Sequence, residues 1–179
     1  MSATRPGERV YVGLGSNLGD REAHLAAAVA AMGRIDAVSV LRRSRLFDTQ
    51  ALGPPQPRYL NAVVELECEL PPRRLLAILQ RIEHELGRTE KGLQRPRTID
   101  LDVLLWGNRI LAEADFQIPH ADMHLRRFVL EPLAELAPLA RHPVLGLTVR
   151  DLLAALPPAD VFPVRDSAGW AATLPRKDP

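Results

Sequence analysis

The sequence predicts an α+β fold of the ferredoxin-like, split βαβ kind, a largely antiparallel sheet with helices packed on one of its faces. Two observations support this prediction. Segments with strand and helix patterns follow one another in the order β-α-β-β-α-β. The chain has 179 residues, of which 46% are hydrophobic and 25% charged, and these values fit one globular domain.

The first half of the chain predicts three strands and one helix. Residues 9–14 include two valines and a tyrosine, β-branched and aromatic residues that favour a strand. Asp20 is a candidate cap for a helix whose apolar positions recur at helical spacing: Leu25, Val29 and Met32. Residues 38–47 predict a long second strand, and residues 59–70 predict a third. The three prolines of residues 53–57 predict an irregular loop between them.

The second half predicts a helix, a strand and two shorter helices. Residues 72–86 carry one apolar face and end at Gly87, so they predict a helix. Residues 98–106 predict a strand that turns through Gly107 into residues 109–111. Further helical segments are expected at residues 127–136 and 149–156.

No internal linker or repeat is visible, so we expect one domain over residues 1–160. Residues 161–179 are expected to form a loosely ordered C-terminal extension.

Composition excludes several classes of protein. The formal net charge is +1, which argues against nucleic-acid binding by a basic surface. No apolar run is long enough to span a bilayer, and the first residues lack the apolar core of a signal peptide. Cys68 is the only cysteine, which fits a reducing compartment. We therefore expect a cytoplasmic monomer that binds neither nucleic acid nor membranes.

The most informative short motif is the acidic pair Asp100 and Asp102. Side chains alternate across a strand, so both carboxylates lie on one face, together with Leu104 and Trp106. The strand is otherwise apolar on both sides, as expected for a central strand. Two like charges held there repel each other and lose hydration unless a cation compensates, and Mg²⁺ suits oxygen ligands.

Positive residues crowd the approach to this pair and follow it later in the chain. Such cations are what a metal-bound polyphosphate requires, although a solvated loop beside an exposed strand end accounts for them equally well. They are Arg88, Lys91, Arg95, Arg97, Arg126 and Arg127.

Three other patterns leave alternatives open. Residues 13–19 form a glycine-rich turn that lacks both the dinucleotide fingerprint and the P-loop ending, although Ser16 and Asn17 are candidates to contact a ligand. His120 and His124 stand at helical spacing. His120 is a candidate phosphate contact, and a zinc site is the alternative.

Tyr59 and Asn61 share a strand face directly after the proline loop. An aromatic ring beside an amide suits a flat heterocycle, and ordinary strand packing is the alternative.

Taken together, four segments resemble one family, the 6-hydroxymethyl-7,8-dihydropterin pyrophosphokinases of folate biosynthesis. The segments occur in the family's order and spacing, and PRTIDLD within the third is the most specific. They are GLGSNLGD (residues 13–20), ALGPPQPRYLNAV (51–63), RPRTIDLDVLLWG (95–107) and IPHADMHLRRFVLEPLAELAP (118–138).

The resemblance implies the ferredoxin-like fold and transfer of pyrophosphate from ATP to the hydroxymethyl oxygen of the pterin, with release of AMP. Asp100 and Asp102 match the family's ligands for two Mg²⁺ ions. With Arg97 and His120, they are the candidate catalytic residues. The pterin-pocket positions are matched by Thr49, Leu52, Tyr59, Asn61 and Phe128. The ATP-side positions are matched by Gln80, Glu83, Arg88, Arg97, Val103, His120 and Arg126.

The loop before the acidic strand departs from the family pattern. Many members carry Arg-Trp-Gly-Pro-Arg, whereas residues 93–97 read Leu-Gln-Arg-Pro-Arg, without the tryptophan and in a shorter loop. Lys91 is expected to contact ATP, and Lys91 or Arg95 takes the place of the missing arginine. Residues 48–58 and 88–97 are candidate lids, because phosphate transfer requires that water be excluded.

Two competing interpretations remain. One is a related phosphotransferase that uses another heterocyclic alcohol. The other is an RNA-binding domain on the same split βαβ layout, which would present aromatic residues on its sheet. The aromatic content of 4% and the near-neutral charge argue against RNA binding.

Overall fold

The computed structural model describes residues 7–88, 95–164 and 170. The strands are β1 (Glu8–Ser16), β2 (Val38–Arg43), β3 (Phe47–Thr49), β4 (Tyr59–Cys68), β5 (Asp100–Trp106), β6 (Leu111–Ala112), β7 (Gln117–Ile118) and β8 (Val161–Pro163). The helices are α1 (Arg21–Gly33), α2 (Pro72–Glu85), α3 (Arg127–Leu136) and α4 (Val149–Ala155), with a 3-10 turn at Met123–Leu125. Each of these helices is too short to cross a bilayer.

The long strand β4 organises an antiparallel sheet. It pairs with β1 on one side and with β2 and then β3 on the other. The path β5-β1-β4-β3-β8 runs across this sheet, and β6 and β7 form a separate ribbon. The predicted long second strand is therefore wrong. It is broken at Ser44, whose backbone N–H donates to Val63 O and whose Oγ accepts from Val63 N.

Helices cover both faces of the sheet, so the prediction that they lie on one face is wrong. Helices α1 and α2 pack on one face, where Leu25 and Leu79 join the larger core. Helices α3 and α4 pack on the other, where Leu130 and Val149 join a second core with Val63. The reason lies in β4, which is buried on both of its faces. Its second face carries the buried polar residues Asn61 and Glu65 but also presents Val63 to the second core.

Strand β5 lies at an edge of the sheet rather than in its centre, since β1 is its partner in the six-stranded sheet. The register also shifts: Val12 pairs with Val103 and Tyr11 with Leu105, which leaves Leu104 as a bulge. The bulge reverses the alternation. Leu104 and Leu105 therefore both join the second core, and Trp106 turns to the first. The predicted placement of Trp106 on the face of the aspartates is wrong for this reason.

The described part of the C-terminal extension is docked, which corrects the expectation of loose order for these residues. Strand β8 pairs with β3, and the N–H of Val164 donates to Leu46 O at 2.8 Å. Trp170 is 3% exposed, and its indole N–H donates to Ser44 O at 2.7 Å. Residues 165–169 and 171–179 lie outside the described residues, and the boundary at residue 160 stays a prediction.

Candidate active site

A cavity opens where β1, β3, β4 and β5 meet the first turn of α3 and the loop after β3. The predicted pterin-pocket positions all line it: Thr49, Leu52, Tyr59, Asn61 and Phe128. So do four residues predicted for metal and phosphate: Arg97, Asp100, Asp102 and Arg126. The fold thus brings nine predicted residues, from four segments of the chain, to one cavity.

The two aspartates share the cavity face, as the strand alternation predicts, but their surroundings differ. Asp100 Oδ1 accepts from Arg88 Nη1 at 2.7 Å and lies 3.1 Å from Arg97 Nη1. Asp102 exposes 42% of its side chain toward the cavity, with His120 Nε2 at 3.8 Å from its Oδ2. Desolvation by the surrounding walls and repulsion from Asp100 raise the pKa of Asp102. The pair therefore favours a cation beside it.

Glu83 connects α2 to this acidic strand. Its Oε1 accepts from the backbone N–H of Leu101 at 2.7 Å and from Arg88. Burial raises the pKa of Glu83 to about 7, and the bonds from Leu101 and Arg88 oppose that rise. Arg88 therefore lies between two carboxyl groups, which holds its guanidinium at the edge of the cavity.

His120 and Arg126 are both positioned by Asp122, a residue that is not among the predicted site residues. The N–H of Asp122 donates to His120 Nδ1 at 3.2 Å, and Asp122 Oδ2 accepts from Arg126 Nη2 at 2.8 Å. Because Nδ1 is an acceptor, the neutral imidazole carries its proton on Nε2, the nitrogen that faces Asp102. The donor of His120 thus faces Asp102, and Arg126 is held where it lines the cavity.

The proposed pterin end of the cavity is built around Asn61. Its Nδ2 donates to Thr49 Oγ1 at 2.6 Å, so its Oδ1 is directed elsewhere. Gly15 on the adjacent β1 makes room for this amide. A Cβ there would lie 2.9 Å from Asn61 Oδ1 and 3.4 Å from the Tyr59 ring. Desolvation raises the pKa of Tyr59, so its hydroxyl stays protonated at neutral pH.

Asn17, in the glycine-rich turn, has a role that sequence reasoning missed. It is 2% exposed, and its Nδ2 donates to Gln56 Oε1 and to Pro57 O, both at 3.0 Å. Its Oδ1 accepts from Arg97 N at 2.8 Å. Asn17 therefore connects, by side-chain hydrogen bonds, the two loops predicted as lids, the first at Gln56 and Pro57 and the second at Arg97. The glycine-rich turn marks Asn17 as a candidate ligand contact. Its hydrogen-bond partners lie 39 to 80 residues away in the chain, so the sequence does not indicate them.

Two predicted ATP-side residues lie apart from the site and one lies outside the described structure. Glu83, Arg88 and His120 do not line the cavity either, but they contact strand β5 beside it. Val103 is 4% exposed, and its side chain packs in the larger core. Gln80 lies on α2, one helical turn before Glu83, and does not line the cavity. Lys91 lies outside the described residues.

Among the described residues, no three His, Cys, Asp or Glu side chains are grouped so as to hold a metal by themselves. His124 instead packs edge to face against His142, with ring centroids 5.9 Å apart. A metal at Asp100 and Asp102 would need oxygen ligands from a bound molecule.

Comparison with known families decides between the interpretations left open by the residues. The model of the 7,8-dihydro-6-hydroxymethylpterin-pyrophosphokinase family matches residues 11–138. The chain belongs to this family. This membership confirms the predicted resemblance and the predicted enzyme class, a pyrophosphokinase of folate biosynthesis.

Relatives of this pyrophosphokinase family match most of the chain. The 2-amino-4-hydroxy-6-hydroxymethyldihydropteridine pyrophosphokinase of Pseudomonas aeruginosa is 44% identical over 151 residues, which cover 84% of this chain and 93% of that protein. The enzyme of the same name from a Synechocystis strain is 40% identical over 153 residues, 86% of this chain and 78% of its own.

Solved structures support the fold. A Plasmodium falciparum HPPK-DHPS structure superposes with a TM-score of 0.69 at 14% identity, over 86% of this chain. The chain spans less than half of that protein, 44% of its length. At this identity the likeness concerns the fold alone, and it confirms the predicted α+β, ferredoxin-like class.

Proposed function

We propose that this pyrophosphokinase transfers the β,γ-pyrophosphoryl group of ATP to the hydroxymethyl oxygen of 6-hydroxymethyl-7,8-dihydropterin. A bond forms between that oxygen and the β-phosphorus, and the bond between the β-phosphorus and the α,β-bridging oxygen breaks. AMP leaves with the bridging oxygen, and the hydroxyl proton is released to solvent. The observation that supports this assignment is the single cavity that joins Asp100 and Asp102 to Thr49, Asn61 and Phe128.

The carboxylate pair fits Mg²⁺. Mg²⁺ binds through one or two carboxylates together with phosphate oxygens and water, and the raised pKa of Asp102 indicates a pair that a cation would stabilise. Asp100 and Asp102 would hold two such ions. When bound, they neutralise charge on the transferring group and on the leaving phosphate.

Two arginines and one histidine of the chain lie around this pair. Arg97 is positioned by Asp100, and Arg126 and His120 by Asp122, so their donors face the place where phosphate charge accumulates. Each is directed before the substrate arrives, which reduces the reorganisation needed in the transition state. We assign phosphate contact to these three residues.

The pterin is proposed to lie between Tyr59 and Phe128, with Asn61 at its edge. The Asn61 amide is fixed by Thr49, so its orientation toward the heterocycle is set in advance. Asn17 holds the surrounding loops at Gln56, Pro57 and Arg97, which helps to keep water out of the cavity.

The test is to incubate the chain with ATP, Mg²⁺ and 6-hydroxymethyl-7,8-dihydropterin and to identify the nucleotide product. We expect AMP in equal amount to pyrophosphorylated pterin. Formation of ADP would contradict pyrophosphate transfer. Equal turnover with a pterin that lacks the hydroxymethyl group would contradict the acceptor.

We also propose that the enzyme is a cytoplasmic monomer. The cavity is formed by one chain, and the single cysteine, Cys68, is buried as a free thiol. Sedimentation equilibrium at micromolar concentration would give the mass of one chain if this is correct, and about twice that mass if a dimer forms.

A further inference from the structure

The C-terminal segment of residues 156–164, here called the strap, connects two walls of the cavity. At one end, Arg127 Nη1 donates to Leu156 O at 3.0 Å and to Pro157 O at 3.2 Å. Arg127 immediately precedes Phe128. At the other end, the N–H of Gln50 donates to Asp160 O at 3.3 Å, and β8 continues along β3. The strap therefore runs from the start of α3 to the end of β3.

Strand β3 depends on this pairing because it has only three residues. It lies between β4 and β8, and Thr49 pairs with Tyr59 on one side and with Val161 on the other. Without β8, β3 would be a very short edge strand, which is a weak way to fix a side chain. Thr49 in turn fixes the amide of Asn61.

A second cavity separates the strap from the loop after β3. It is walled by Leu52 and Phe128 on one side and by Leu156, Pro157 and Val161 on the other. Leu52 and Phe128 also line the proposed active site. Side-chain packing between the strap and this wall is therefore incomplete, and the backbone and Arg127 contacts carry more of the connection.

We propose that the strap is a positioning element for the pterin: it sets Thr49 and Phe128 in their places on opposite walls of the pocket. This inference rests on the proposed function of the cavity. It concerns pterin binding rather than nucleotide binding, because the strap pairs with β3, and among the described residues its hydrogen bonds join it to β3, Gln50 and Arg127 rather than to β5 or α2.

The sharpest test uses Phe162, which pairs with Asp48 and is 56% exposed. Gln50 N donates to Asp160 O, and Val164 N donates to Leu46 O. Hydrogen-bonded pairs alternate with non-bonded pairs along antiparallel strands, so the N–H of Phe162 faces β3. F162P removes this donor, and F162A removes the same ring but keeps the donor. A second pair needs no proline: R127A loses the carbonyl bonds, and R150A removes an exposed arginine of α4 as its control.

Affinity for the pterin is measured by fluorescence titration with a saturating non-hydrolysable ATP analogue, and affinity for that analogue is measured alone. We expect F162P and R127A to weaken pterin binding by about tenfold, roughly the loss of one or two hydrogen bonds, and to leave analogue binding within about twofold. F162A and R150A should bind both ligands as the wild type does.

The inference is overturned if F162P and R127A bind the pterin as their controls do, or if pterin and analogue affinities fall together. Thermal unfolding of each variant identifies any that fails to fold, and the other pair then decides. Failure of the wild type to bind the pterin would instead contradict the proposed function itself.

Discussion

At the scale of single residues, the two aspartates of β5 are held differently. Asp100 accepts from Arg88 and lies beside Arg97, whereas Asp102 has a raised pKa and lies 3.8 Å from His120 Nε2. We expect D100A and D102A each to lower turnover by at least about 100-fold, as loss of a preorganised charge contact does. D102A should retain the wild-type melting temperature, while D100A, which leaves two arginines facing each other, should lower it.

D115A is the matched control, since the side chain of Asp115 is 73% exposed and pairs with Arg73 instead. It should keep full activity. If D102A kept most of its activity, the metal assignment would be wrong.

Glu83 gives the site a pH dependence. Its pKa is raised from an ordinary 4.5 to about 7, so the folded chain holds this proton to higher pH than the unfolded chain does. The stabilising contribution of the protonated group is therefore complete below about pH 4.5 and is lost as pH rises toward 7.

E83Q should keep both hydrogen bonds, because the Glu83 oxygen that accepts them has an equivalent in the amide. We expect the free energy of unfolding of E83Q to change less than that of the wild type between pH 5 and 7. Urea titrations at a series of pH values measure this difference, and parallel profiles would contradict the raised pKa.

Gly15 tests the proposed pterin pocket. An alanine Cβ would press on the Asn61 amide, which Thr49 prevents from turning away. G15A should weaken pterin binding roughly tenfold, in line with the cost of overpacking a buried site. G33A is the control, because its Cβ would meet Val40 at an ordinary 3.9 Å. Equal pterin affinity of the two variants would place the pterin elsewhere.

At the scale of elements, the turn that holds Asn17 connects two loops by different atoms. Nδ2 serves the loop of Gln56 and Pro57, and Oδ1 serves Arg97. N17D keeps the acceptor but loses the donor, so it should free the first loop alone. N17A should free the first loop and also weaken the second, which keeps the bond from the residue 17 N–H to Arg97 O. Hydrogen exchange of residues 51–57 and 95–97 distinguishes these cases. Wild-type protection of both loops in both variants would show that Asn17 does not hold the loops.

The elements show where sequence patterns suffice and where they do not. Alternation correctly predicts that Asp100 and Asp102 share a face, and it also places Val103 on the opposite face. It does not predict the bulge at Leu104, because register depends on a partner strand 90 residues away in the chain. The break at Ser44 is missed for the same reason, since it is defined by Val63 on β4.

At the scale of the whole molecule, the described residues of the C-terminal extension pack on the rest of the fold. Trp170 packs in the larger core and its backbone N–H donates to Glu22 of α1. W170A should lower the free energy of unfolding by roughly 3–5 kcal/mol, as for other large buried side chains, and should preserve a single transition. F162A, which removes a largely exposed ring, should change it by less than about 0.5 kcal/mol. A wild-type urea midpoint for W170A would contradict this.

The composition of the site was accessible from sequence because its residues lie in four distinctive segments. The electrostatics of the site could not be predicted from the sequence. The pKa of Glu83 is raised by its burial, against the opposing hydrogen bond from Leu101 N–H, and the directions of His120 and Arg126 depend on Asp122. These are properties of tertiary packing, and pattern and spacing along one chain do not contain them.

The position of β5 at the sheet edge has one more consequence. A strand at the edge of a sheet can pair with a strand of another chain, and Val103–Trp106 is apolar. The outer edge of β5 is covered in part, because Leu101 N donates to Glu83 Oε1 and Leu104 O accepts from His120 N. Asp100 and Asp102 place like charges where such a strand would pair, and the Leu104 bulge breaks its flat register. The same carboxylates that favour a cation therefore also act as gatekeepers against aggregation.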